Sequence, residues 1–479
     1  MPLPTIPSGN VNSGLATGYD VANSVRLDGS SAYMNKTMGT PTDADKYTFS
    51  FWCKRSKLGA QQSIFRSTNG NNDSHVTFQA DDTLRFEEYG GLATIGKLQT
   101  TQVFRDVSSW YSIILVYDSG NATAGNRMRM YVNGTEVTSF GTDTNPSQDA
   151  DSFFNKSGEP LHFGRTDYSG GGNYFSGYVA ELVMVDGQAL TPSSFGEFSE
   201  DSPNIWMPKD VSGLTFGNNG FYLDFEDSGD LDDDESGNTN DFTATNLAAT
   251  DQATDTCTNN FATLNPLNPT VHDFEEGNLK FNGTTTNWDS AFSTIGASSG
   301  KWYFEMKFLA LEGGLRRAAM GLVDARDQTL MATNEVGYNI TGTVGDSVGY
   351  NGNGTSNTIK KNDTGQYNGT EWSVNDIICM AVDLDNSAVY FRVNGSAWLN
   401  SGNPESGASK TGAVTITAGE TYVFGGTAYG GSTEWEFNFG SPSFAISSGN
   451  ADANGYGNME FAIPSGYFCL NTKNLAEYG

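Results

Sequence analysis

Apolar and polar positions alternate in short runs along this chain, and Gly-, Asn- and Asp-rich turns separate the runs. Two stretches carry the pattern most clearly. In 376–395, DIICMAVDLDNSAVYFRVNG, an apolar run from Ile377 to Val382 ends in the polar turn Asp383-Leu384-Asp385-Asn386. Val389, Phe391 and Val393 then alternate with Tyr390, Arg392 and Asn394. The closing Asn394-Gly395 pair is a strong turn signal, because both residues tolerate positive φ. Stretch 110–134 repeats the grammar: apolar Ile113 to Val116, a turn from Asp118, then Met128, Met130 and Val132 alternating with Arg127, Arg129 and Tyr131, closed by Asn133-Gly134. A tryptophan, Trp110 or Trp372, precedes each unit. The pattern predicts two antiparallel β-sandwiches, each built around one such hairpin, and an all-β fold class.

Taken in order, residues 1–21 are rich in Pro, Gly, Ser and Asn and read as an extended arm. Strand patterns then recur from 22 to 200, among them 47–54 (YTFSFWCK), which predicts a half-buried strand, 75–78 (HVTF), 84–86 (LRF), 161–164 (LHFG) and 174–185 (YFSGYVAELVMV). Residues 201–270 predict an irregular connector with one acidic turn, Asp230 to Gly237. A second sandwich follows over 271–445, with GKWYFE at 300–305, MGLVD at 320–324 and WEFNFG at 435–440, and 446–479 reads as a C-terminal strap.

The elements SVRLDGSSAYM, YTFSFWCK, the WYSIILVYD…RMYVNG hairpin and FSGYVAELVMVDGQALTPSSF resemble, in their order, the laminin-G/concanavalin-A-like lectin superfamily over about 22–200. GKWYFE, MGLVD, VGY, the 376–395 hairpin and the terminal FNFG resemble a SPRY domain. The first resemblance implies a lectin-like jelly roll. The second implies a bent sandwich presenting loops to a protein or glycan partner without catalysis. The combination, with the DTCTNNFATLNPL segment and the acidic Gly/Asn/Thr-rich character, resembles structural proteins of marine tailed bacteriophages. It implies a non-enzymatic virion protein of a tail fibre, spike or capsid-surface appendage. Assembly would take place in the host cytoplasm, and other virion proteins and a host-surface glycan or protein would be the partners. Fibres repeat one interface by symmetry, so a homo-oligomer is expected. Two rival readings stay open: a purely structural capsid decoration or tail adaptor, and a polysaccharide-degrading enzyme.

Charge changes the picture next. The formal net charge is −30. Phosphate binding needs a basic face, so a nucleic-acid partner is not expected. The segment MPLPTIPSGN has neither a basic stretch nor an apolar core, and reads as no secretory leader. No uncharged apolar run approaches the roughly 18 residues of a membrane span, so membrane insertion is not expected. Cys53, Cys257, Cys379 and Cys469 lie far apart with no CxxC pair, which predicts reduced thiols and no zinc site.

Candidate chemistry is sparse. No strand carries the spaced carboxylates of a glycosidase; Glu181 and Asp186, or Glu197 and Glu200, do not share a strand face. His75, His162 and His272 are too scattered for a triad. Asp230, Asp232 and Asp234 imitate the start of a calcium loop and are the candidate ligands of a structural Ca2+, although Thr243 stands where a bidentate Glu should be. Tyrosines on Gly/Asn loops offer contact area at low entropic cost. Tyr89, Tyr168, Asn173, Tyr174, Tyr350 and Asn351 are therefore the candidate binding residues. Trp52, Trp110, Trp302, Trp372 and Trp435 are expected in the core.

Overall fold

The computed structural model describes residues 18–167, 171–267, 273–283, 287–354 and 356–479. The expected arm lies almost wholly outside them. The chain divides into two compact units, one holding the described residues up to 258 and the other residues 259–479. Among the described residues, strands pair antiparallel throughout the four large sheets, and the only α-helices are the short Gln328–Met331 and Thr472–Tyr478. The chain is all-β, as its alternation predicts.

In the first unit two eight-stranded sheets enclose a core that includes Phe49, Phe51, Phe65, Phe86 and Leu115. One sheet centres on Lys46–Arg55, flanked by Tyr111–Asp118 and Ser176–Asp186. The expected hairpin joins Tyr111–Asp118 to Met128–Val132. Lys46–Arg55 is not half-buried, as its alternation suggested: nine of its ten residues are buried. Trp52, Ile114, Val116 and Tyr178 on its sheet's outer face pack under Trp206, Val211, Phe216 and Tyr222.

That cover corrects the picture of 201–270 as a connector. Up to residue 258 the stretch belongs to the first unit and extends its sheets. Phe221–Leu223 pairs with Ser176–Asp186, Thr243–Thr245 with Tyr33–Thr37, and Gln252–Ala253 with Ser24–Asp28. A buried ion pair pins its end: Lys54 Nζ lies 2.7 Å from Asp255 Oδ2, each side chain 1 % exposed. The other Asp255 oxygen accepts the Trp110 indole N–H at 3.1 Å.

The second unit pairs a seven-stranded with a six-stranded sheet. Lys301–Ala310 lies between Glu434–Asn438 and the hairpin Ile377–Asp383/Ala388–Val393. Phe304, Met306, Met380 and Phe391 face the core. Tyr303, Cys379, Ala381 and Tyr390 face outward and pack under Phe444, Met459, Tyr467 and Cys469. Here the pin is Glu305. Its carboxyl accepts the backbone N–H groups of Glu460 at 2.9 Å and Phe461 at 2.8 Å, and the Tyr303 hydroxyl at 3.1 Å. All five tryptophans expected in the core are at most 2 % exposed.

The two Asn-Gly turns are the same device. Asn133 and Gly134, like Asn394 and Gly395, have positive φ. Asn133 donates its N–H to Ser112 O and accepts Ser112 N–H on Oδ1; Asn394 does both with Ile377. A covering aromatic then closes on each glycine. A Cβ on Gly134 would lie 2.2 Å from the Trp206 ring, and one on Gly395 2.4 Å from Phe461.

Two predictions follow from the pins. Asp255→Ala strands the Lys54 ammonium inside the first unit and should cost about 3–5 kcal/mol, read by denaturant unfolding. Burial, partly offset by the two backbone N–H donors, pushes the Glu305 carboxyl up to about 7 from 4.5. A group raised in the folded state stabilises fully below its unfolded pKa, and that contribution is lost as pH rises through the folded one. Melting of wild-type protein between about pH 5 and about pH 8 should therefore show a decline that Glu305→Gln flattens.

Candidate binding face

The second eight-stranded sheet of the first unit has an outer face on which one cross-strand row is polar from edge to edge. Its order is Thr243, Asn35, His162, Arg66, His75, Glu87, Lys97 and Thr144, each the direct register partner of the next. Side chains alternate along a strand, so direct partners share a face. The neighbouring row, Met34, Phe163, Phe65, Val76, Phe86 and Leu98, lies in the core.

The row is tied together by charge. Arg66 grips Asp73 with two bonds of 2.6 and 2.5 Å. Lys97 Nζ lies 3.1 Å from Glu87, which also accepts the Thr94 hydroxyl at 2.9 Å. His162 Nε2 meets Asp167 Oδ2 at 2.9 Å, and that contact helps hold the Asp167 carboxyl below its ordinary range against the upward push of desolvation. Burial first, and then the Arg66 charge, push His75 down to about 4. Its imidazole is neutral at pH 7, with Nδ1–H placed to donate to the Asp73 carbonyl at 3.1 Å.

Hydrogen-bonding capacity is left over. Among the described residues, His162 Nδ1, Asp167 Oδ1 and Arg165 Nε are buried without a hydrogen-bond partner, and His75 Nε2, 3.5 Å from Glu87 Oε2, makes no formed hydrogen bond. Buried polar atoms are ordinarily satisfied by protein, water or ligand. Beside them lies an aromatic group. The Tyr33 ring is 6.4 Å from His162 and 6.5 Å from Tyr174, and the Arg165 guanidinium stacks 3.5 Å above it.

The candidate binding residues fare differently. Tyr174 joins this aromatic group, with the exposed Asn173 beside it. Tyr89 is half-buried at the end of the Glu87 strand, opposite Thr94. Tyr168 lies outside the described residues. Tyr350 and Asn351 are not on an exposed loop: they sit in the strand Ser347–Asn353, and both are buried. Tyr350 points into the second core, and Asn351 donates to Glu335 and to the Val336 carbonyl. Their Gly/Asn neighbours let strands approach closely; a Cβ on Gly352 would collide with Trp372.

The acidic turn is also used internally. Asp232 accepts the Ala244 N–H, and Asp234 accepts the N–H groups of Tyr222, Ser236 and Asn240. Asp230 shares a hydrogen bond with Asp232, and that bond raises its carboxyl. Among the described residues no three His, Cys, Asp or Glu side chains converge as a metal site, and Asp232 and Asp234 staple the turn through backbone N–H groups.

On the polar face Asp73 is held by Arg66 and Glu87 by Lys97, and Asp167 meets the His162 ring. Glu181 sits at a bulge with φ of 50° under the cover, its two oxygens 3.1 Å from Tyr222 Oη, and burial pushes it up to about 8.

Residues 28–194 match the Laminin_G_3 family model, described as the Concanavalin A-like lectin/glucanases superfamily. No curated protein matches the chain. Solved structures similar to parts of it include the SPRY domain of human HERC1, at 13 % identity over 36 % of this chain and 96 % of that one, with a TM-score of 0.28. Another is the CBM40 of Ruminococcus gnavus IT-sialidase bound to α2,3-sialyllactose, at 16 % identity over 36 % and 96 %, with a TM-score of 0.26. A third is domain 4 of the Geobacillus stearothermophilus arabinanase AbnA with arabinotriose, at 19 % identity over 38 % and 82 %, with a TM-score of 0.26.

Proposed function

We propose that this chain is a non-enzymatic recognition protein whose first sandwich binds a glycan on the polar face described above. One observation carries the reading: an unbroken polar row crosses eight strands and leaves imidazole nitrogens unmatched on both sides of Arg66. Sugar hydroxyls both donate and accept, so they can complete such a network. Tyr33 and Tyr174 supply ring surface for the apolar side of a pyranose. The concanavalin-A-like match of residues 28–194 supports the same reading. Asp73 and Glu87 are tied to Arg66 and Lys97, and Asp167 to the His162 ring, which suits a fixed recognition surface better than acid–base hydrolysis.

The setting we propose is the surface of a tailed-phage virion, as a fibre, spike or capsid appendage assembled from several copies in the host cytoplasm. The order of the sequence motifs supports it. Other virion proteins would then be its fixed partners, and a host-surface glycan its target.

On an array of host-type glycans, full-length protein should retain a defined set. Tyr33→Ala and His162→Ala should each weaken that binding about tenfold or more while melting stays cooperative. Retention of no glycan, with tight binding to virion proteins, would establish the purely structural rival instead. Glycan cleavage abolished by Asp73→Asn or Glu87→Gln would overturn the non-enzymatic assignment.

A further inference from the structure

In the second unit the six-stranded sheet also has an outer face, and a cavity of about 330 Å3 opens on it. Trp288, Asn334, Glu335, Tyr338, Asn339 and Ile340 line it. Trp288 stands on the strand Trp288–Phe292, directly opposite Tyr429. The next outward positions on the two strands, Ser290 and Thr427, share a hydrogen bond. The loop after Gln328–Met331 supplies the other walls.

We propose that this cavity is a binding site for one neutral pyranose unit, with Trp288 as the platform under the sugar ring and Glu335 as the group that fixes its hydroxyls. The size fits, because small-ligand pockets begin near 300 Å3. The platform is held in place: the Tyr429 ring packs 5.0 Å from Trp288, and Arg317 caps Tyr429 at 4.9 Å. The carboxyl is aimed too. Asn351 Nδ2 donates to Glu335 Oε1 at 2.8 Å and is itself fixed by the Val336 carbonyl at 2.6 Å.

Charge decides for a neutral ligand. Burial pushes the Glu335 carboxyl up to about 7, against the pull of the Asn351 amide and of the nearby Lys360 ammonium, which hydrogen-bonds the Tyr338 hydroxyl and sits 3.7 Å over its ring. A carboxyl partly neutral at pH 7 beside one ammonium gives little negative field to select a cation, and the carboxyl itself disfavours an anion. The amides add both signs of hydrogen bond. Asn334 spends its Nδ2 on the Leu330 carbonyl at 2.9 Å, which leaves Oδ1 to accept. Asn339 spends its Oδ1 on Thr343, which leaves Nδ2 to donate. A ring with one apolar face and hydroxyls that donate and accept matches an indole, a carboxyl and two carboxamides.

This site is separate from the first-sandwich face, so the two readings can fail separately. Saturation-transfer NMR on the full chain carrying Tyr33→Ala, which removes sugar binding at the first-sandwich face, would use methyl galactoside, methyl glucoside and N-acetylglucosamine, with glucuronate and glucosamine as charged controls. At least one neutral sugar should receive saturation at its ring C–H protons. Trp288→Ala should abolish the transfer, and Glu335→Gln, which keeps the shape, should weaken binding about tenfold. Trp288→Phe, which retains an aromatic surface, should restore part of it. Transfer from none of the neutral sugars at millimolar concentration overturns the proposal. So does transfer confined to the charged controls, or transfer that survives both Trp288→Ala and Glu335→Gln. If glycan-array binding depends on Tyr33 while Trp288→Ala changes nothing in the NMR experiment, the first-sandwich reading stands and this one falls.

Discussion

A sheet that is apolar on both faces must be covered twice, and that constraint shapes both units. The strand Lys46–Arg55 and its neighbours place Phe49 and Phe51 on one side and Trp52, Ile114 and Val116 on the other. Lys301–Ala310 and its neighbours do the same with Phe304 and Met306 against Tyr303, Cys379 and Ala381. The opposing sheet covers one side. The chain that follows the sandwich must cover the other, since each large apolar side chain contributes about 1.5–3 kcal/mol on burial. Each cover is then located by one buried carboxyl. Asp255 meets an ammonium, whereas Glu305 meets two backbone N–H groups. An ion pair and a pair of peptide donors are different chemistries for one task, which is to fix the register of a segment with little regular structure of its own.

The cover decides where recognition can occur. With one sheet enclosed on both sides, polar side chains in each unit collect on the outer face of the other sheet. In the first unit this is the row from Thr243 to Thr144. In the second it is Ser290, Thr427, Asn351, Thr358 and Asn368, a cross-strand row interrupted between Thr427 and Asn351 by the apolar Ala319. The two rows differ in chemistry. The first is charged and internally paired, so a ligand there must fit an existing ion network. The second is neutral and partly roofed by the loop that carries Glu335, so a ligand there enters a cavity.

The architecture was legible because its signals are local. Period-two alternation and the Asn-Gly turns belong to single strands and hairpins, and both hairpins fall where those signals place them. The covers were not legible. Nothing within YTFSFWCK tells whether Ser50 and Lys54 face water or another layer, and Lys54 in fact faces Asp255, which lies about two hundred residues later in the chain. The same limit hid the polar face. His75 and His162 look scattered in sequence, and only the pairing of their strands through Arg66 makes them neighbours in one row. Tyr350 misled for a related reason: a Gly/Asn-rich surrounding signals a loop, but here glycines let a strand pack closely beneath Trp372.

A row of polar residues could have arisen merely because an exposed sheet face has no reason to be apolar. Such a face, however, would be filled with short hydroxyl and long flexible charged side chains whose polar atoms reach water. The first-unit row instead buries Arg66, His75, Glu87 and His162 to below a tenth exposed while leaving His75 Nε2 and His162 Nδ1 without a formed hydrogen bond. Desolvating these groups costs stability that a solvated face would keep. Stability alone would favour Thr, Val or Tyr at positions buried this deeply in a strand. A cost retained at the centre of a sheet, with aromatic rings gathered at its side, is what the proposed glycan-binding role would account for.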